Sequence, residues 1–339
     1  MSTAQGEPRG AVGAVQSKWK QITERYPNFG ITFSLFIILI VMSLFVGMMN
    51  PRFFMPRNII NILVQVAGFT CLAVGMTLVM TTGGLDISVG ATVGVATAVM
   101  GVAMAWWQVG GITAIILGLL VGTVAGFING MFVVLFKVPS LIVTLGTRAA
   151  FRNLGYVFTE GELLFGFPDS FRWVARARLL GIPFPVIIAL ITSIWGIYFL
   201  YKTKTGRHIT AIGGNREAAH LAGIKVRRTT WLVFVISGLM AGIAAVIAVS
   251  RLDAAQPSTG YEYEIHTIAA VVLGGTLLSG GRGLMLGSIL AMVILQVMAN
   301  GMVLMGVSFF WQQVVIGVVF IMVVAVRTLR AREVQKIGL

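Results

Sequence analysis

The residues with the clearest chemical meaning lie in a short polar segment between two apolar stretches, which reads Gly83-Gly-Leu-Asp-Ile-Ser-Val-Gly90. The glycines end one apolar stretch, and Asp86 and Ser88 can then accept hydrogen bonds from the amide groups that open the next helix. An aspartate near an apolar membrane core costs about 2.5–3.5 kcal/mol on insertion scales, so Asp86 needs such partners. Two roles stay open: a structural helix cap, or a polar lining at the cytoplasmic mouth of a pathway.

A second recognisable signal lies within the basic loop 202–229, where residues 213–223 predict a short capped helix. Asn215 is a good N-cap, Glu217 falls in the first turn, and Gly223 can end the helix. A small apolar surface is expected from Ala218, Ala219, Leu221 and Ala222. The candidate residues of this segment are Gly213, Gly214, Asn215, Glu217, Ala218, Ala219 and Gly223. The residues alone leave two readings open: a helix resting on the inner leaflet, or one that docks into another protein.

Signatures of catalysis, metal binding and nucleotide binding are missing from the sequence. There is no G-x-x-x-x-G-K-[ST] segment to cradle nucleotide phosphates, no H-E-x-x-H and no cluster of cysteine and histidine. His208, His220 and His266 are scattered, and the one cysteine, Cys71, lies in an apolar stretch. We therefore expect no catalytic residue, no metal site and no cofactor bound by this chain.

Composition decides which elements must position these residues. Hydrophobic residues make up 57% of the 339 residues, charged residues only 11%, and the mean hydropathy is +0.93. Because a soluble domain carries about 25% charged residues, this chain cannot cover a water-facing surface. The composition excludes a soluble enzyme, a disulfide scaffold and a disordered tail protein, and predicts an all-α, polytopic transmembrane helical bundle.

Stretches free of Asp, Glu, Lys and Arg predict about ten crossings, at about 20 residues each. The long window 87–136 must fold back, and Trp106–Gly111 is its natural turn. We expect a cytoplasmic N-terminal segment at 1–30, a transmembrane domain at 31–327 and a cytoplasmic tail at 328–339. The predicted spans are 31–49, 59–82, 89–107, 112–136, 138–158, 183–201, 230–250, 265–280 and two between 283 and 326.

The positive charges predict the orientation of these spans. With the N-terminus inside, the cytoplasmic segments carry 17 Lys and Arg, the external segments six, and the fifth span carries Arg148 and Arg152. This bias places both termini in the cytoplasm. It also accounts for the net charge of +14, so nucleic acid is not needed as a partner.

Glycine is placed at helical spacing in the fourth span, where Gly118, Gly122, Gly126 and Gly130 recur every four residues. Such a face lets another helix approach closely. Packing within the chain is the favoured reading, and packing against a second subunit is the alternative. Further glycines, at 274–275 and 280–283, interrupt the chain around the eighth span.

Four motifs together resemble the permease subunits of ribose-type bacterial ABC importers. They are Gly83–Gly90, Lys137-Val-Pro-Ser-Leu-Ile-Val-Thr-Leu-Gly-Thr147, Ala211-Ile-Gly-Gly-Asn-Arg-Glu-Ala-Ala219 and Ile268-Ala-Ala-Val-Val-Leu-Gly-Gly-Thr-Leu-Leu-Ser-Gly-Gly281. The resemblance implies a multi-pass protein of the inner membrane that imports a monosaccharide or sugar-like solute. It implies as partners a second permease copy or paralogue, an external sugar-binding protein and cytoplasmic ATPase subunits, which would bind the ATP and Mg²⁺. By the same analogy, residues 213–223 are the helix that couples to the ATPase.

Residues of the pathway are predicted from what a neutral sugar needs, namely hydrogen-bond partners and flat apolar faces. Arg152 matches a position that is often basic in the family, whereas Arg148 is an addition and His266 replaces an acidic residue. For each amide inside a span, a hydrogen bond between helices is the stronger reading. The remaining candidates are Gln65, Phe69, Asn129, Gln296 and Asn300.

Other functions stay open beside sugar import. An ABC permease for branched-chain amino acids or nucleosides would share the architecture. A secondary transporter would need acidic residues inside the membrane for proton or sodium coupling, and the spans place only Asp86 near the interior. A membrane protein without transport activity is the remaining alternative.

Overall fold

The protein folds almost entirely as α-helix, and the computed structural model describes residues 27–337. Most of the predicted N-terminal segment, residues 1–26, lies outside the described residues. The helices are α1 (Pro27–Met49), α2 (Pro56–Thr81), α3 (Val89–Ala105), α4 (Gly111–Leu135), α5 (Ser140–Thr159), α6 (Asp169–Arg176), α7 (Phe184–Lys202), α8 (Lys204–Gly214), α9 (Arg216–Leu221), α10 (Val226–Leu252), α11 (Tyr263–Leu273), α12 (Met285–Leu304) and α13 (Phe309–Ile337).

Strands are confined to two small antiparallel pairs in the described part of the chain. One joins β1 (Leu164–Phe165) to β4 (Ala254–Ala255), and the other joins β2 (Arg178–Leu179) to β3 (Ile182–Pro183). The first pair connects the segment after α5 to the segment after α10, so these two loops lie at the same end of the bundle.

Length and composition distinguish two groups of helices. Among the described residues, six helices are long and apolar enough to cross a membrane, namely α1, α2, α4, α7, α10 and α12. Helices α3 and α11 and the apolar part of α13 are shorter. The all-α prediction is confirmed, as is the turn at Trp106–Gly111, because α3 ends at Ala105 and α4 begins at Gly111.

Helices α2 and α10 form the centre of the bundle. Their most apolar windows are 72% and 78% buried, and α10 packs against α2, α3 and α4. A β-carbon on Gly122 of α4 would lie 2.7 Å from the Gly242 nitrogen of α10, so only glycine permits this approach. Packing within the chain, the favoured reading of the glycine repeat, is confirmed.

Helix α11 corrects the predicted eighth span, 265–280. It ends at Leu273, and its 11 residues reach only about 16 Å, about half of an apolar bilayer core. Gly275, at φ +110°, and Gly280 and Gly281, at φ +86° and +78°, hold backbone conformations that L-residues avoid. The chain therefore turns here instead of continuing as a helix.

Three other predicted boundaries also differ from the structure. Helix α1 begins at Pro27, four residues earlier than expected, and α13 continues to Ile337, through most of the predicted tail. The predicted external loop 251–264 is too long, because α10 continues to Leu252 and α11 already begins at Tyr263. Hydropathy locates the apolar part of each helix. The exact residues at which a helix begins and ends depend on capping and packing.

Candidate functional site

Asp86 is the centre of a buried hydrogen-bond network at the start of α3. Its residue is 2% exposed, and its carboxylate accepts hydrogen bonds from the Ser88 amide (3.1 Å), the Ser88 hydroxyl (2.6 Å) and the Ser237 hydroxyl of α10 (2.9 Å). Asp86 thus binds a backbone amide at this helix start. Ser88 occupies the N-cap position, but its side chain accepts no hydrogen bond from the first turn, and its hydroxyl donates to Asp86.

The network continues through Asn129 to two further helices. The Asn129 amide of α4 donates to the Ser88 hydroxyl at 2.7 Å, and the Thr147 hydroxyl of α5 donates to the Asn129 carbonyl oxygen at 2.7 Å. Asn129 is 1% exposed. These side chains join α3, α4, α5 and α10, so Asn129 connects helices and does not face an open pathway here.

A second polar cluster, which the sequence analysis missed, surrounds Glu264 in the first turn of α11. Glu264 is 1% exposed, and its Oε1 lies 2.7 Å from the Arg148 Nε of α5. Neither carboxylate oxygen receives a well-aligned hydrogen bond from the described residues, so the ion pair with Arg148 balances this buried charge. The view that Asp86 is the only acidic residue near the interior is therefore wrong.

Arg152 lies one turn beyond Arg148 on the same helix and holds the segment before α11. Its guanidinium donates to the carbonyl oxygens of Pro257 (3.2 Å) and Thr259 (2.8 Å) and lies 6.0 Å from the centre of the Tyr261 ring. The sequence did contain a signal for a buried acidic partner, namely two arginines four residues apart in a predicted span. Such charges are costly in a membrane unless they are paired.

Both clusters lie at the middle depth of the central helices. Ser237, which contacts Asp86, lies 11 residues into the 27-residue α10, and Phe69, whose ring is 4.4 Å from that of Tyr263, lies near the middle of α2. The N-termini of α3 and α11 are adjacent here, since a β-carbon on Gly90 would touch Glu264 and Gly260.

The two short helices then run in opposite directions from this meeting point. Gly101 of α3 packs near Leu164, beside the β1–β4 pair. The glycine turn after α11 reaches the far end of α2, where the Gly281 amide donates to the Thr81 carbonyl at 3.0 Å. Two short helices whose N-termini meet inside a bundle are the arrangement that places positive dipole ends at the midplane in many transporters.

The other predicted amides pair between helices. Gln296 of α12 donates to Gln65 of α2 at 3.0 Å, and Asn300 of α12 bonds to Asn58 at 3.0 Å. Gln65, Gln296 and Phe69 share a cavity of about 50 Å³, which has room for about two waters but not for a monosaccharide. In this conformation these side chains hold helices together.

The segment 213–223 folds as the end of α8 and the short helix α9. Asn215 caps α9 by accepting a hydrogen bond from the Ala218 amide at 2.9 Å, and Glu217 is exposed in the first turn. Gly213 packs against the Thr81 carbonyl and Gly281, while Gly223, at φ +79°, follows the helix. The segment is thus connected to the glycine turn after α11 and to the end of α2.

Ala219 corrects the predicted docking surface of this segment. It is 5% exposed and packs against Ile212, Ile224 and Val226 of its own chain, so it cannot receive a partner. The amphipathic pattern located the apolar face but could not tell which alanine of so short a helix faces inward. The exposed apolar residues of α9 and its C-terminal end, here called the α9 face, are Ala218, Leu221 (83% exposed) and Ala222.

Beside the α9 face lies a cavity of about 1060 Å³, here called the basic cavity. It is open to one side and is bordered by the α4–α5 loop, α9, the start of α10 and the turn after α2. Its apolar wall includes Val133 and Phe234, and the Gly83–Gly84 turn also lines it. Its charged residues are Lys137, Arg216, Glu217, Lys225, Arg227 and Arg228.

Comparison with known proteins identifies the family. The family model described as "Branched-chain amino acid transport system / permease component" matches residues 58–324. The ribose import permease protein of Bacillus subtilis is 42% identical over 291 residues, covering 85% of this chain and 90% of that protein. The ribose import permease protein of Escherichia coli K12 is 39% identical over 298 residues, covering 86% and 91%.

A permease named for a different sugar is also similar. The D-allose transport system permease protein of Escherichia coli K12 is 34% identical over 295 residues, covering 86% of this chain and 89% of that protein. No solved structure matches the chain. The apolar helices agree with a multi-pass protein of the bacterial inner membrane. The chain belongs to the family of membrane permease components of bacterial ABC importers.

Proposed function

We propose that this chain forms the translocation pathway of an ATP-driven importer for a monosaccharide or sugar-like solute. The observation that carries the proposal is the similarity, over most of both chains, to permeases named for ribose and allose import. The family description names branched-chain amino acids, which keeps that substrate class, with nucleosides, as the alternative. The sugar relatives favour the sugar reading.

The proposed topology has ten crossings, with both termini in the cytoplasm. Six crossings are the long apolar helices, and α3, α5 and the apolar part of α13 add three. The tenth consists of the segment 253–262 followed by the short α11. The excess of basic residues near α8–α10 supports a cytoplasmic position for that end. The N-terminal segment, the transmembrane domain and the C-terminal tail then keep their predicted order, with the helix ends corrected as above.

The pathway, on this proposal, runs along the outer face of α5 between this chain and a second permease copy or paralogue. Arg148 of α5 has a side chain that is 39% exposed, although it lies in the middle of a 20-residue helix. A cation that faces lipid there would cost about 2.5–3.5 kcal/mol. Water and a second subunit on this face remove that cost, and Arg148 and Arg152 then present donors to sugar hydroxyls.

ATP and Mg²⁺ would be bound by the cytoplasmic ATPase subunits, and an external binding protein would deliver the solute. Residues 213–223 are proposed as the coupling segment, with the α9 face as its contact surface. Its link to the ends of α2 and α11 through Gly213 offers a mechanical route from the ATPase to the membrane core.

Uptake of radiolabelled ribose tests the proposal in a host that lacks its own permease but supplies a binding protein and candidate ATPase subunits. We expect uptake to need this chain and an ATPase subunit, and to persist when proton and sodium gradients are collapsed but ATP is maintained. Uptake of leucine or nucleosides instead of sugars would favour the alternative permease. Uptake that needs no ATPase but stops with the gradients would favour a secondary transporter.

A further inference from the structure

The basic cavity carries a charge that the described residues leave uncompensated. Five basic side chains line it against the single carboxylate of Glu217. None of the five forms an ion pair with another described residue. The ion pairs among the described residues involve the cations of Arg148, Arg172 and Arg176. A concave site lined by one sign of charge focuses its field on what enters it.

The start of α10 concentrates this charge. Arg227 and Arg228 lie in its first turn, and Lys225 is its N-cap residue; all three are exposed. Basic side chains are unfavourable at a helix N-terminus, because the amide groups there already carry a partial positive charge. The local structure therefore gains nothing from these residues, whereas a negatively charged partner would interact with both the side chains and the helix end.

We propose that the basic cavity binds an acidic segment of the ATPase subunit, next to the contact made by the α9 face. The inference rests on the proposed function and adds to it the chemistry of the partner. The volume of about 1060 Å³ accommodates several side chains, and its excess of basic groups calls for several carboxylates. A phosphatidylglycerol headgroup brings a single negative charge and would leave most of this excess uncompensated.

This contact would reach further into the permease than the α9 face does. The Gly83–Gly84 turn lines the cavity, and Asp86 follows two residues later at the start of the buried network. An acidic segment that enters or leaves the cavity would thus push on the turn that positions α3. The α9 face acts on a different place, through Gly213, at the ends of α2 and α11.

The first experiment measures binding of a fluorescent oligoglutamate peptide to the purified full chain in nanodiscs of neutral lipid, with an oligoglutamine peptide as reference. The test variant is Arg227→Glu/Arg228→Glu. It should fold, because both positions are exposed and acidic residues suit a helix N-terminus. The matched control is Lys204→Glu/Arg207→Glu, the same charge change on exposed residues of the first turn of α8, outside the cavity.

We expect the parent and the control to bind oligoglutamate, with an affinity that falls as salt rises, and the test variant to bind about tenfold more weakly. Equal binding by the two variants would overturn the proposal. So would displacement of the peptide by phosphatidylglycerol together with loss of phosphatidylglycerol binding in the test variant, since that outcome would assign the cavity to a lipid headgroup.

The second experiment uses the ATPase subunit that restores uptake in the host described above. The test variant should lose co-purification with this subunit and uptake together, while the control keeps both. A test variant that holds the ATPase as firmly as the control would contradict the inference. If no ATPase subunit supports uptake, the proposed function fails, but the peptide experiment still decides whether the cavity binds an acidic segment.

Discussion

At the scale of single residues, two buried carboxylates are stabilised in different ways. Asp86 accepts three hydrogen bonds from neutral groups, whereas Glu264 lies beside one arginine. A buried carboxylate that accepts several hydrogen bonds can be replaced by an amide at moderate cost, because the amide oxygen still accepts some of those hydrogen bonds. One that depends on a cation leaves that cation unpaired when its charge is removed.

Substitution of Asp86 separates these effects. We expect Asp86→Leu to lower the free energy of unfolding by at least about 2 kcal/mol, because three donors lose their buried acceptor at about 1–3 kcal/mol for each unsatisfied group. Asp86→Asn keeps an acceptor oxygen and should lose less than half as much. Thermal unfolding in detergent measures both, and equal destabilisation would contradict this account. An Asn variant that folds but fails to transport would show that the charge itself matters to import.

Removal of the Glu264 charge should cost more than removal of an exposed charge. We expect Glu264→Gln to destabilise the fold toward the lower end of about 3–5 kcal/mol, since Arg148 is half-exposed and partly solvated when unpaired. Asp169→Asn is the control, because its carboxylate is exposed and its ion pairs should be worth less than about 1 kcal/mol. A double-mutant cycle with Arg148→Gln checks the pairing, and a coupling energy near zero would refute it.

At the scale of elements, the short helix α9 has one buried residue, Ala219, that packs within the chain, beside an exposed α9 face that is proposed to contact the ATPase. We expect Ala219→Arg to reduce expression or folding, because it places a charge and a large side chain among Ile212, Ile224 and Val226. Ala218→Arg and Leu221→Glu lie on the α9 face and should insert normally but lose ATPase binding and sugar uptake. Expression and co-purification are measured together. The assignment of the α9 face fails if these two variants still hold the ATPase and import sugar at the parental rate.

The contact between α4 and α10 depends on glycine at specific positions. We expect Gly126→Leu to lower the thermal unfolding temperature and the yield of folded protein, because its β-carbon would touch the Phe234 carbonyl and lie 3.0 Å from the Gly238 Cα. Gly317→Leu in α13 is the control, since no atom beyond the neighbouring backbone of α13 itself lies within 4 Å of a β-carbon there. Similar stability of the two variants would mean that the helices separate easily.

At the scale of the whole molecule, the topology can be measured directly. In a Cys71→Ala background, Glu162→Cys should react with an impermeant thiol reagent in intact cells, and Thr210→Cys only after lysis. Both positions are exposed. Ser170, in the same predicted external segment, is less suitable, because its hydroxyl accepts a hydrogen bond from the Gly111 amide at the start of α4. Labelling of both cysteines from outside would contradict the ten-crossing proposal.

The sequence by itself determined that this is an all-α membrane protein, where most apolar helices lie and which family its motifs resemble. These properties follow from local quantities: the apolar content of each stretch, the charges between stretches and the capping residues of a short helix such as Asn215. They need no knowledge of which helix lies beside which. The cap at Asn215 could be predicted because its donor, the Ala218 amide, is only three residues away.

Only the tertiary structure decided which residues meet. Glu264 and Arg148 are 116 residues apart, so no local pattern assigns that carboxylate to the interior rather than to an external loop. The length of α11 depended on glycines that pack against α2 and α8, and the inward face of Ala219 depended on Val226 of the next helix. In a membrane bundle nearly every face is apolar, so hydropathy does not choose the neighbours. Close packing and the pairing of buried polar groups choose them.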